Sequence, residues 1–165
     1  MNKDFFYQGE TIEEFLSNSN GLSDKYRQHI IEVQFDDDLL AQLAEMPANL
    51  KVMVIAEPLS GDVLYYFPVL IRMAEQSGWE IRIFRRDSYP ELILPYRKDG
   101  LYHSIPVYVF YDAEFNEVAN WIERPAEATR VIDDESLKLR RRLREEHKAE
   151  WRQETITELV ELFNP

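Results

Sequence analysis

Apolar positions recur along the chain at two different periods, and the changes of period mark the elements. Ile12, Phe15 and Leu16 stand at helical spacing before a Ser-Asn-Ser-Asn-Gly stop, which predicts a short helix. Leu22, Tyr26, Ile30 and Val33 repeat that spacing in a second helix. "DDDLLAQLAEMP" predicts a third, opened by Asp36–Asp38 and ended before Pro47. Three adjacent acids also invite a cation, but carboxylates at a helix start are explained by capping and by the helix dipole. Lys51 to Ala56 is short, apolar and β-branched, as a buried strand is. From Gly61 to Gln76 a helical stripe of Val63, Phe67, Leu70, Ile71 and Ala74 follows, closed by Gly78. Pro68 falls inside it, where the missing N–H predicts a kink.

"WEIRIFRRD" alternates as a strand, with Ile81, Ile83 and Trp79 toward one side. "SYPELILPYRKDGLYHS" reads as a helix-and-loop connection punctuated by Pro90, Pro95 and Gly100. "IPVYVFYDAEFNEVANWIERP" reads as two strands turning near Ala113–Asn116. After Pro125 the pattern is helical, with an acidic and Ser cap before "LKLRRRLREE" and an end at Asn164-Pro165. Helices, then βαβ, then a hairpin, then helix implies an α/β fold: a central mixed sheet of about four strands flanked by helices. No repeat or linker divides the chain. It is expected to form a single domain over 1–165, with an N-terminal helical extension (1–35), a core (36–125) and C-terminal helices (126–165).

Composition removes several function classes. The net charge of −12 repels polyanions, so no nucleic-acid partner is expected. No apolar run approaches the ~20 residues that span a bilayer, and "MNKDFFYQGE" has no secretory leader pattern, so a cytoplasmic protein with no membrane partner is expected. The chain contains no cysteine, which removes disulfides, thiolate metal sites and thiol nucleophiles. His29, His103 and His147 share no ligand spacing, so no metal or other cofactor is expected.

The element order, with its landmarks, resembles the thioredoxin fold. In that superfamily the first core strand enters a W-C-G-x-C turn at the start of a helix that carries a proline. Here Leu59, Ser60, Gly61, Asp62 and Val63 occupy the turn, and Pro68 stands five positions after Val63. Ile105-Pro106 stands where the superfamily has its cis-proline, downstream of Gly100. More narrowly, the chain resembles a bacterial thioredoxin-like group that reads roughly E-P-W-C-G-D in the turn. The matching landmarks are Glu57-Pro58 with Gly61-Asp62, Arg86-Asp87, Ser104-Ile105-Pro106, and Trp121 with Arg124-Pro125. The resemblance covers about Asp36 to Pro125.

The departure falls on the chemistry. Thiol–disulfide exchange needs a thiolate, and Ser60 holds the nucleophilic position while Val63 holds the resolving one. The usual dithiol reaction is therefore excluded for this chain. Ser60 either belongs to a lineage without the cysteine or replaces one; Leu59 in place of tryptophan favours the former. Ser60 as a hydroxyl nucleophile would need His103 as base and Asp62 or Asp112 as orienter, whereas an N-cap needs nothing further.

The resemblance implies a binding role for the residue before the proline, whose backbone groups meet an extended peptide or glutathione-like ligand. Ser60, Asp62, Ile105 and Pro106 are the binding candidates, with Asp62 competing against any anion for the helix amides. Lys138, Arg140, Arg141, Arg142 and Arg144 form a basic run followed by Glu145 and Glu146, as on a solvated face with i,i+4 pairs. Ile156, Leu159, Val160 and Phe163 form a C-terminal stripe that either packs within the chain or makes a homodimer surface. These readings lead to a thioredoxin-fold binding or scaffold module without dithiol chemistry. The alternative is a thiol–disulfide or glutathione-linked oxidoreductase whose cysteine is replaced by Ser60.

Overall fold

In a computed structural model, described for residues 1–133 and 135–163, a four-stranded sheet has the order β2-β1-β3-β4. The strands are β1 (Lys51–Ala56), β2 (Glu80–Arg85), β3 (Val107–Tyr111) and β4 (Glu117–Ile122). β1 pairs parallel with β2 and antiparallel with β3, and β3 pairs antiparallel with β4. The parallel pair requires a crossover, which α5 (Gly61–Ser77) supplies. Four helices precede the sheet: α1 (Lys3–Phe6), α2 (Ile12–Ser17), α3 (Ser23–Glu32) and α4 (Asp37–Glu45). Three follow it: α6 (Ala126–Ile132), α7 (Leu137–Glu146) and α8 (Lys148–Glu161).

Strand alternation gives the sheet two apolar faces. On one, Tyr108 stacks on Trp121, which meets Tyr66 of α5, and Phe110 meets Phe163 beyond α8. On the other, Phe84 meets Phe5 of α1 and Tyr89. Helices therefore cover both faces, as the element order implied. α5 continues through Pro68 and closes at Gly78, whose φ of 69° is the left-handed value that glycine adopts freely. Asp36 caps α4 by accepting the Leu39 N–H at 2.8 Å. Ser136 caps α7; the expected end at Asn164-Pro165 lies outside the described residues, as does Asp134 within the expected cap.

Some expectations change. Trp79 precedes β2 rather than joining it, though its ring still packs on Phe110. The segment with Pro90 and Pro95 forms turns and one 3-10 turn (Leu94–Tyr96), because proline lacks the N–H a longer helix needs. The N-terminal extension is bound to the core: Glu10 and Ile83 exchange backbone hydrogen bonds at 2.8 Å along the outer edge of β2. Of the C-terminal stripe, Ile156, Leu159 and Val160 are buried within the chain and Phe163 is half-buried against Trp79 and Phe110, which is the packing alternative of the two. Among the described residues, no helix is long and apolar enough to cross a membrane.

Candidate functional site

β1 delivers the chain to Glu57–Ser60 at its C-terminal end, and α5 starts at Gly61. Ser60 is extended (φ −70°, ψ 129°) and its Oγ accepts the Val63 N–H at 3.4 Å, the geometry of an N-cap. Tyr26 of α3 donates its hydroxyl to the Pro58 carbonyl at 2.9 Å, so the N-terminal helices hold the turn from one side. Leu59 is 70% exposed, while Val63 is wholly buried. The turn thus presents Leu59 outward, keeps Ser60 half-buried as a cap, and places Val63 in the core.

Asp62 does not cap the helix amides. It is buried, with Oδ1 accepting from Arg144 Nε (3.1 Å) and Nη2 (2.9 Å). Arg124 Nη2 lies 3.3 Å from its Oδ2. Arg124 also contacts Glu123 and donates to Asp133 at 3.0 Å, and Lys98 joins Glu123 (2.8 Å) to Asp133 (3.3 Å). The cluster holds three acids and three bases, so its formal charge is zero. Burial pushes the Asp62 carboxyl above its ordinary range, with Arg124 and Arg144 pulling against it. Gly61 makes room for this pairing: a Cβ there would lie 3.2 Å from Arg144 Cζ and Nη1. The expected competition between Asp62 and an anion at the helix amides is corrected accordingly, because the carboxylate is turned to the two arginines.

The Ile105–Pro106 peptide bond is cis. The Pro106 carbonyl accepts the Glu123 N–H at 2.7 Å, which ties this loop to the charge cluster. Among the described residues, the Ile105 N–H and C=O have no hydrogen-bond partner. A cleft of about 370 Å³ lies between Ile105, the turn at Leu59 and Ser60, and Arg86 and Asp87. A second cleft, of about 470 Å³, opens on the other side of Leu59 and Ser60, toward α3 and α7. Of the binding candidates, Ser60 and Ile105 share the first cleft; Asp62 lies beneath the turn and Pro106 behind Ile105.

The hydroxyl-nucleophile constellation does not assemble. His103 is exposed and makes no hydrogen bond to Ser60; its carbonyl accepts from Arg86 at 3.5 Å. Asp112 is occupied in the β3–β4 turn, accepting the N–H groups of Glu114 and Asn116. The basic run also differs from a uniform solvated face. Arg142 pairs with Glu146 at 2.7 Å as the spacing predicts. Glu145 instead accepts from the Tyr65 hydroxyl, and Arg144 turns inward to Asp62. Sequence reasoning gave Arg124 no role beyond a landmark and put Arg144 in solvent. The available signal was that Arg140 and Arg144 stand one turn apart on the stripe that also carries Leu143.

The family described as Thioredoxin matches residues 9–153. No curated protein sequence matches the chain. Among solved structures, a protein of unknown function from Pseudomonas aeruginosa superposes with a TM-score of 0.73 at 16% identity, covering 99% of this chain and 98% of that one. An HIV epitope-scaffold of the 4E10 series superposes with a TM-score of 0.73 at 16% identity, covering 98% and 96%. At that identity the likeness is one of fold.

Proposed function

The chain belongs to the thioredoxin family, and within it we propose a cytoplasmic binding module that holds an extended segment of a partner protein, a peptide or a glutathione-like ligand against the Ile105 loop. By its landmarks it stands beside the bacterial group that reads E-P-W-C-G-D in the turn. The observation that carries the reading is the unpartnered backbone N–H and C=O of Ile105 in a cleft walled by Leu59 and Ser60. An extended peptide satisfies both groups with its own main chain, as a strand added to a sheet edge does. Leu59 replaces an aromatic wall with an aliphatic one and remains exposed to meet a ligand. With no cysteine anywhere in the chain, ligand retention through a mixed disulfide is excluded, so binding is reversible and non-covalent.

The second reading, an oxidoreductase scaffold whose cysteine has become Ser60, is favoured by one feature. Ser60 sits at the N-cap of a helix of 17 residues, where a thiol would be acidified. Against it, position 63 is wholly buried and holds valine, so no resolving group faces position 60.

The binding reading is tested by selecting a displayed library of random peptides on the immobilised protein and on Leu59→Asp. Retention on the unaltered protein, reduced at least about tenfold by a charge at this exposed wall, is expected. Retention no greater than on a blank surface contradicts the proposal.

A further inference from the structure

The cleft on the α7 side of the turn has a charge that the molecule as a whole does not. Its walls carry Lys25 from α3 and Arg140, Arg141 and Arg144 from α7, against the single carboxylate of Glu145. Arg144 is neutralised by Asp62 beneath the turn. Arg140 is held by main-chain carbonyls, donating from Nε to Glu135 at 2.7 Å, and has no carboxylate partner among the described residues. Lys25 and Arg141 are exposed and make no side-chain hydrogen bond or ion pair among the described residues. Glu145 accepts from the Tyr65 hydroxyl and lies 3.7 Å from Lys148, which further reduces its weight in the cleft. Three cations without an ion-pair partner among the described residues therefore surround one acid, Glu145, whose carboxylate Lys25 and Lys148 both stabilise, so the cations outnumber the acid. Between them the surface is apolar: Leu59 is 70% and Leu137 65% exposed, and Leu22 and Leu64 line the floor.

The net charge of −12 does not cancel this patch. At physiological ionic strength fields decay over about 8 Å, so a ligand seated in the cleft senses the cations around it more than distant carboxylates. An unpaired cation beside an exposed aliphatic side chain selects a ligand that alternates acid and apolar groups. This cleft shares Pro58, Leu59 and Ser60 with the Ile105 cleft, so one extended chain can lie across both.

We infer that the partner segment is an acidic–apolar peptide: its main chain meets Ile105, an apolar side chain covers Leu59 and Leu137, and its Asp or Glu side chains face Lys25, Arg140 and Arg141. The inference rests on the binding-module reading and specifies its ligand. It is tested by sequencing the peptides retained from the random library and measuring their affinity by fluorescence anisotropy for the unaltered protein and for Lys25→Glu/Arg141→Glu. Both positions are exposed, and an unchanged thermal melting curve shows that the fold survives. The expected result is enrichment of Asp and Glu beside Leu, Ile or Phe, with affinity falling about tenfold in the double variant and also falling with added salt. Retained peptides without acidic enrichment, or acidic peptides indifferent to the double variant, overturn this inference and leave the binding module standing. Retention no better than on a blank surface overturns both.

Discussion

His29 lies on the inward side of α3, 4.9 Å from the Tyr65 ring, and its Nδ1 is buried without a partner. The groups facing it are Tyr65 and Glu145 from α5 and α7, Lys148 and Arg152 from α8, and Glu32 from its own helix. Burial, reinforced by Arg152 and Lys148, lowers the imidazole from 6.5 to about 4. The folded state thus holds a neutral ring, while the unfolded chain takes up a proton first as pH falls. Stability contributed by His29 is complete above 6.5 and is lost toward 4, at a limiting rate of about 1.4 kcal/mol per pH unit. Denaturant unfolding across that window is expected to show a shallower pH slope in His29→Leu than in the unaltered protein. Equal slopes contradict the assignment. The sequence pattern placed Tyr26, Ile30 and Val33 inward; the buried set is Tyr26, His29 and Val33, with Ile30 half-buried. A polar residue at a buried helical position is invisible to a pattern that counts only apolar ones, which is why His29 read merely as a non-ligand.

Between elements, Asp62 is the fastener. It sits in the first turn of α5 and receives Arg144 from α7 and Arg124 from the segment after β4, so three distant stretches of chain meet at one carboxylate. Asp62→Asn leaves Arg144 buried with a neutral partner while Arg124 keeps Glu123 and Asp133. The expected loss is about 3 kcal/mol in urea unfolding, because an uncompensated buried charge costs far more than a surface pair. Asp62→Asn combined with Arg144→Met is expected to recover part of that loss. A single-variant loss below about 0.5 kcal/mol contradicts the role.

The elements themselves were mostly legible where one period ran long enough. β1, α5 and the hairpin follow from a β-branched run, a long helical stripe closed by Gly78, and two apolar runs separated by a short turn. α1 was not legible: four residues capped by Asn2 carry too few positions for a period to show. Nor was the Asp62–Arg144 pair, whose members lie 82 positions apart. In sequence, Asp62 reads as a helix-start acid and Arg144 as one of several basic residues. Only the packing of α7 against α5 makes them partners.

At the scale of the whole molecule, the thioredoxin scaffold is intact while its reactive pair is absent. The connection between α1 and α2 closes the edge of β2 through Glu10, α3 anchors the turn through Tyr26, and α7 supplies Arg144 to Asp62. Both extensions meet at the Leu59–Ser60 turn in the α7-side cleft, whereas the Ile105 cleft is walled almost wholly by the core, with Asn20 the one residue from the extensions. The turn is thereby built as a groove wall with a helix cap. The most direct measurement of that claim is reduction of a protein disulfide by Ser60→Cys, with and without glutathione. A cysteine there has an acidifying helix terminus but faces a buried valine in place of a resolving thiol, so it has no route to turnover without glutathione. With glutathione, which resolves a mixed disulfide from solution, the account still predicts no turnover above that of the unaltered protein, because the turn serves as a groove wall. Robust turnover from this single substitution would contradict it and identify the chain as an oxidoreductase missing only its cysteine.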